Sequence, residues 1–179
     1  CSVMETVTRN KKVQPVLETT TFWDFPTQNY GENPHGDNKF NGVTPAFVIW
    51  NLLERYTRPG DLIVDPMCGS GTTIDVALEL NSRVIGYDIA PRRKDIIKND
   101  ARKILLEDNS VDFVFIDSPY SDNIKYSDDP RCIGKISCEK EDFFTALDMV
   151  AKEIHRILKP TKAMAWLIGD QCKKKKYIP

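Results

Sequence analysis

At 179 residues the chain fits one domain with a sizeable core, and its 41% hydrophobic and 28% charged residues are ordinary for a globular protein. A net charge of -1 supplies no global positive field, which argues against a broad, non-specific nucleic-acid surface. No apolar run reaches the roughly 18 to 20 residues of a membrane span, no secretory leader opens the chain, and five cysteines without CxxC spacing speak against a zinc site or a disulfide framework.

A reducing, cytoplasmic setting fits that cysteine usage. The chain begins with Cys1 rather than Met and reads as trimmed or partial. Basic runs at 9–12, 92–94 and 173–176 read singly as solvated faces or tails.

Residues 1–20 are polar and aperiodic, an N-terminal arm ahead of a single domain over 21–179. Residues 21–41 carry Phe22, Trp23, Phe25, Pro26, Tyr30, Gly31, Pro34 and Gly36, a composition of ordered loop rather than helix. Thr44-Pro45 supplies an N-cap and a first-turn proline for a helix running toward Arg58-Pro59-Gly60. Strand and helix patterns then alternate. Residues 61–65 form a strand, 72–80 a helix, 83–88 a strand, and 91–99 a short basic helix. A brief strand is expected near 101–105, a longer one at 111–117, a helix over 139–158 and a strand over 163–169.

Strands without polar alternation, interleaved with helices, predict an α/β fold: a doubly wound, mainly parallel sheet covered on both faces. Ligands of such sheets sit at the carboxyl ends of the strands. Two strings lie at such ends, Asp65-Pro66-Met67-Cys68-Gly69-Ser70-Gly71-Thr72-Thr73 and Asp117-Ser118-Pro119-Tyr120.

The first string is a glycine loop that lets a nucleotide-like ligand approach the backbone ahead of a helix N-terminus. Its spacing is not GxGxxG, and Asp65 would repel a pyrophosphate. A carboxylate there suits a cation, and S-adenosyl-L-methionine (AdoMet) carries an ammonium and a sulfonium. Asp88, at the next strand end, suits both ribose hydroxyls. Asp100, in Asn99-Asp100-Ala101, suits an adenine amino group.

The second string suits the methyl acceptor. The lone pair of an exocyclic amine is delocalised into its ring. Acceptors around its two N–H bonds favour a pyramidal nitrogen that aims the lone pair at the methyl. Asp117 offers one acceptor and the Ser118 carbonyl the other. Pro119 stiffens the turn, and Tyr120 offers a face for stacking, worth ~1 to 3 kcal/mol. A base inside a duplex must first be flipped out.

Residues 65–73 resemble the AdoMet motif of the AdoMet-dependent DNA amino-methyltransferases (adenine-N6 and cytosine-N4). Residues 117–120 resemble that family's catalytic motif, Asp, Asn or Ser followed by Pro-Pro and an aromatic residue. Residues 41–53 are similar to the helix before the AdoMet strand, and the resemblance spans roughly residues 21–170.

The resemblance implies a class I, Rossmann-like methyltransferase fold and AdoMet converted to S-adenosylhomocysteine with no metal. It implies cofactor contacts from Asp65, Pro66, Met67, Cys68, Gly69, Gly71, Thr72, Thr73, Asp88, Ile89, Asp100, Ala101 and Asp117, and a catalytic set of Asp117, Ser118, Pro119 and Tyr120. DNA is the implied partner, with adenine-N6 favoured over cytosine-N4 by the leading Asp. An RNA amino-methyltransferase and a catalytically silent AdoMet-fold subunit are the alternative readings.

Two departures stand out. Ser118 replaces the motif's first proline, which predicts a less rigid turn. The chain ends soon after the fifth strand, where the family fold adds a helix and a strand pair. Target recognition then falls to a partner subunit, a homodimer mate, a missing segment or the loop at 121–137.

Overall fold

A computed structural model describes residues 13–179, except positions 26, 38, 41, 170, 174, 175 and 179, the side chain of residue 123 and the side chains beyond 169. Most of the N-terminal arm, the basic run at 9–12, Cys1, Pro26 and the side chains of the 173–176 run therefore lie outside the described residues.

The elements run α1 (Ala46–Tyr56), β1 (Leu62–Asp65), α2 (Thr72–Glu79), β2 (Arg83–Asp88), β3 (Ile96–Lys98), β4 (Val111–Asp117), α3 (Glu141–Ile157) and β5 (Leu158–Leu167). A backbone hairpin of β6 (Gln171–Lys173) and β7 (Lys176–Ile178) follows, antiparallel and separate from the main sheet. The main sheet has five strands in the order β3-β2-β1-β4-β5, every pairing parallel.

The expected two-sided cover is present. On one face Ile63, Phe113 and Phe115 meet Phe47, Ile49 and Leu53 of α1 and Val76 and Ala77 of α2. On the other, Val64, Val114 and Ile116 meet α3. The buried residues of α3, Phe143, Ala146, Val150, Ile154 and Ile157, recur every three or four positions, which is why this segment is a helix. Each fully buried aliphatic side chain of this kind contributes about 1.5–3 kcal/mol. Glu141 and Asp142 in its first turn and His155 and Arg156 in its last complement the helix dipole.

Asp112, buried inside β4, accepts the Leu62 N–H (3.0 Å) and lies 2.9 and 3.2 Å from the ammonium groups of Lys159 and Lys162. These partners outweigh its burial and hold its carboxyl at about 2.

Two expected elements are absent. No helix occupies 91–99. That stretch is a loop followed by β3, which pairs with Gly86, Tyr87 and Asp88 of β2. Arg93 explains the loop, because its guanidinium is drawn onto Asp75, Asp95 and the carbonyls of Ser70 and Gly71. Residues 101–105 are turns, not a strand. Thr44 also fails to cap α1, whose preceding residue is Pro45 and which has no side-chain cap. Its hydroxyl is used elsewhere.

Candidate functional site

Three carboxylates stand at the carboxyl ends of adjacent strands: Asp65 on β1, Asp88 on β2 and Asp117 on β4. One cavity is lined by all three, by the glycine turn and by residues 117–120. Both strings read from the sequence therefore open into the same space. Of the expected cofactor residues, Pro66, Met67, Cys68, Gly69, Thr72, Thr73, Ile89, Asp100 and Ala101 also line it. Gly71 does not line it but closes the turn behind.

The floor is the β1–α2 turn. Gly69 and Gly71 have φ of 52° and 88°, the left-handed region that favours glycine. A Cβ at Gly71 would lie 2.4 Å from the Arg93 guanidinium, so both shape and space are needed there. Arg93 clamps this turn, donating to the carbonyls of Ser70 (3.2 Å) and Gly71 (3.3 Å) and pairing with both oxygens of Asp75 (2.9 Å each). It is a structural brace, not the solvated charge its basic neighbours suggest.

Asp65 is 3% exposed. Its oxygens accept the Met67 N–H (3.0 Å) and the Thr73 hydroxyl (2.5 Å). Burial pushes its carboxyl from 3.8 up to about 7; those two bonds lower it, and the charges of Asp117 and Asp88 raise it further. Burial likewise pushes the Cys68 thiol up, keeping it protonated and inert. Asp88 accepts the Gly69 N–H (3.0 Å) and the Ala90 N–H (2.8 Å), fastening the end of β2 to the glycine turn. Asp100 takes a two-point bond from the Arg102 guanidinium (2.9 and 2.6 Å). Burial raises its carboxyl, but Arg102 brings it below its ordinary value.

At the second string Asp117 Oδ2 accepts the Thr44 hydroxyl (2.5 Å) and Oδ1 accepts the Tyr120 hydroxyl (2.9 Å). Burial raises this carboxyl despite both bonds. Ser118 is 3% exposed, and its Oγ accepts the Trp166 indole N–H (2.9 Å). The Tyr120 ring packs beside Gly169, and its N–H reaches the Tyr126 hydroxyl (3.4 Å).

Sequence reasoning missed several lining residues. Thr44, Phe40, Tyr126, Arg131, Cys132 and Ile133 all border the cavity. Tyr126 to Ile133 belong to the loop at 121–137, which folds back over the site. Two aromatics of the 22–25 stretch pack within the fold: Phe25 stacks on Phe47 (centroids 5.1 Å), and Trp23 packs beside Phe25 and under Arg55. His35 is fully buried against Glu79 (3.0 Å) as part of the fold, and His155 is exposed on α3.

Residues 4–99 match the model of the N6/N4 DNA methylase family, described as DNA methylase. This chain belongs to that family. Among curated proteins it is 37% identical over 57 residues to the type II methyltransferase M.MjaII of Methanocaldococcus jannaschii, covering 32% of this chain and 11% of the relative. It is 24% identical over 174 residues to the probable type III restriction-modification enzyme HindVI Mod subunit of Haemophilus influenzae, covering 86% of this chain and 23% of the relative. With M2.DpnII of Streptococcus pneumoniae, a type II methyltransferase, identity is 39% over 67 residues, covering 37% of this chain and 24% of the relative.

This DNA methylase family member thus spans a quarter or less of the length of these curated relatives. A solved SAM-dependent methyltransferase from Archaeoglobus fulgidus superimposes at a TM-score of 0.46 with 21% identity, over 70% of this chain and 53% of that one. Among the described residues no group of His, Cys, Asp or Glu is arranged to hold a metal, and no helix is long and apolar enough to cross a membrane.

Proposed function

We propose that this chain carries the AdoMet-binding and catalytic residues of a DNA methyltransferase acting on an exocyclic amino group, adenine-N6 in preference to cytosine-N4. One observation carries the reading: the buried carboxylate of the glycine turn and the carboxylate of Asp-Ser-Pro-Tyr share one cavity at neighbouring strand tips. Membership of the DNA methylase family supports it.

The residues present fit AdoMet. Three acids face one space, and the mutual repulsion that helps to raise Asp65 is relieved by a cation. Asp65 and the glycine turn take the charged end, Asp88 the ribose, and Ile89, Ala101 and Asp100 surround the adenine. When bound, AdoMet supplies the electrophilic methyl and leaves as S-adenosylhomocysteine.

The chain's own residues orient the acceptor. Each carboxylate oxygen has two acceptor sites, so Asp117 can take an amino N–H while keeping its bond to Thr44. The Ser118 carbonyl takes the second N–H. Asp117 then stabilises the positive charge that develops on nitrogen and accepts the proton the nitrogen sheds, a task its raised carboxyl favours. Tyr120 is released from Asp117 as the base enters, and its ring becomes free to stack. Orientation supplies most of the acceleration.

DNA is the proposed partner, with the target base flipped into the cavity. Recognition of the surrounding sequence is assigned to a partner subunit or a second copy, and the protein is placed in the cytoplasm, on the nucleoid when bound. The test is incubation with labelled AdoMet and duplex DNA, tRNA or rRNA, followed by nucleoside analysis. N6-methyladenine or N4-methylcytosine in DNA supports the reading. Methylguanosine in RNA would move the substrate to RNA, and tight AdoMet binding without transfer would make the chain a silent subunit.

A further inference from the structure

We infer that Trp166 is a positioning residue for methyl transfer, fixing the Asp117–Tyr120 turn in place of the proline that position 118 lacks. The inference rests on the proposed function and concerns a residue outside the cavity lining.

A proline at 118 would fix φ near -65° and remove an N–H. Serine does neither. Two other devices constrain this serine. Pro119 confines the preceding residue to extended conformations. The Trp166 indole N–H, donated to Ser118 Oγ at 2.9 Å, ties the side chain to β5. Trp166 pairs in register with Ile116, and Leu167 with Asp117, so the indole leaves β5 beside the point where β4 becomes the turn. Ser118 is 3% exposed, so a hydroxyl left without this partner would have little access to water.

The turn is thereby held from three sides. Thr44 grips the Asp117 carboxylate, Tyr126 receives the Tyr120 N–H, and Trp166 fixes the residue between them. The residue so fixed supplies the second acceptor for the amine, and a shift of a few tenths of an ångström there misaims the nitrogen lone pair. Trp166 touches neither ligand and acts through Ser118.

The experiment is a double-mutant cycle on the full chain with Trp166→Phe and Ser118→Pro. Trp166→Phe keeps an aromatic ring but removes the donor and part of the indole's bulk, so the cycle compares its cost with and without the Ser118 hydroxyl. The expected result is a roughly tenfold loss of kcat with AdoMet affinity unchanged. In the Ser118→Pro background, where the backbone is fixed covalently, Trp166→Phe has no further effect. Hydrogen exchange of the Trp166 indole N–H gives a readout independent of turnover: slow in the wild type, fast in Ser118→Ala.

Equal losses in both backgrounds, a parallel fall in AdoMet affinity, or rapid indole exchange in the wild type would overturn the inference while leaving the function intact. A wild type that binds AdoMet but transfers no methyl group to any nucleic acid would remove the function reading, and the positioning role with it.

Discussion

Lowering the pH from 7.5 to 6.0 should weaken AdoMet binding by about eightfold, and Asp65→Asn should abolish the effect. The free protein holds the Asp65 carboxyl near 7 rather than 3.8, through burial first and the neighbouring charges of Asp117 and Asp88 among the lesser causes. That displacement corresponds to about 4 kcal/mol against the ionised form. A bound cation beside the carboxylate reverses part of it. With a free-state value near 7, roughly one molecule in eleven is ionised at pH 6.0 and about three in four at pH 7.5. If the complex requires the ionised form, apparent affinity scales with that fraction, which gives the eightfold ratio. The ligand's own α-amino group, with an ordinary value of about 7.7 to 8.0, loses part of its charge at the upper end of this range, which trims the ratio without reversing it.

The sign for stability is opposite. A carboxyl raised in the folded state favours folding fully below pH 3.8, and this contribution is lost as the pH climbs toward 7. Asp65→Asn should therefore raise the Tm of the ligand-free protein at pH 7.5 and leave it nearly unchanged at pH 4. Titration calorimetry across the range, in buffers of different ionisation heat, reads both affinity and proton release. A flat wild-type profile, or an Asn variant with the same slope, would refute the reasoning.

Asp117→Ala should reduce methyl transfer below detection while AdoMet affinity changes less than threefold, and joint loss in equilibrium binding would dissolve the division of the site. Thr44→Val removes a hydrogen bond to a carboxylate, worth about 1.5–3 kcal/mol; kcat should fall at least tenfold, whereas a change confined to KM would make Thr44 a binding group. Gly71→Ala puts a Cβ 2.4 Å from the Arg93 guanidinium at a φ of 88°, so thermal unfolding should show a loss of at least about 1 kcal/mol. Asp112 has a folded value depressed to about 2, so its stabilisation is present above its ordinary 3.8 and fades as the pH falls through 2. Asp112→Asn should cost up to about 2 kcal/mol in denaturant unfolding at pH 7 and little at pH 2.

The strand ends that carry the site were legible because each apolar run stops at an acid. Arg83–Asp88 and Val111–Asp117 lie where the pattern places them, and the acids of β1, β2 and β4 border one cavity as expected. The segment after β2 was misread for a tertiary reason. Locally Pro91 to Asn99 is a basic run with helix-forming residues, but Ile96 finds the edge of β2 and Arg93 finds Asp75, and those partners decide its shape. Thr44 reads as a cap because cap chemistry is local. Its actual acceptor, Asp117, is 73 residues away in sequence. Trp166 carried no signal for the same reason, lying 48 residues from Ser118. Local grammar locates the strand tips, while the side chains that brace them come from distant parts of the chain.

The Arg93 brace limits how the molecule can vary. One guanidinium spans the β2–β3 connection, the carbonyls of the glycine turn and the first turn of α2, so the length of that connection is tied to the shape of the cavity floor. Adding a residue between Asp88 and Arg93 would slide the guanidinium off its acceptors and distort the floor from behind. The stretch after Tyr120 is tied in the same way, through the Tyr126 hydroxyl that receives the Tyr120 N–H, so a change of length there would reach the turn as well.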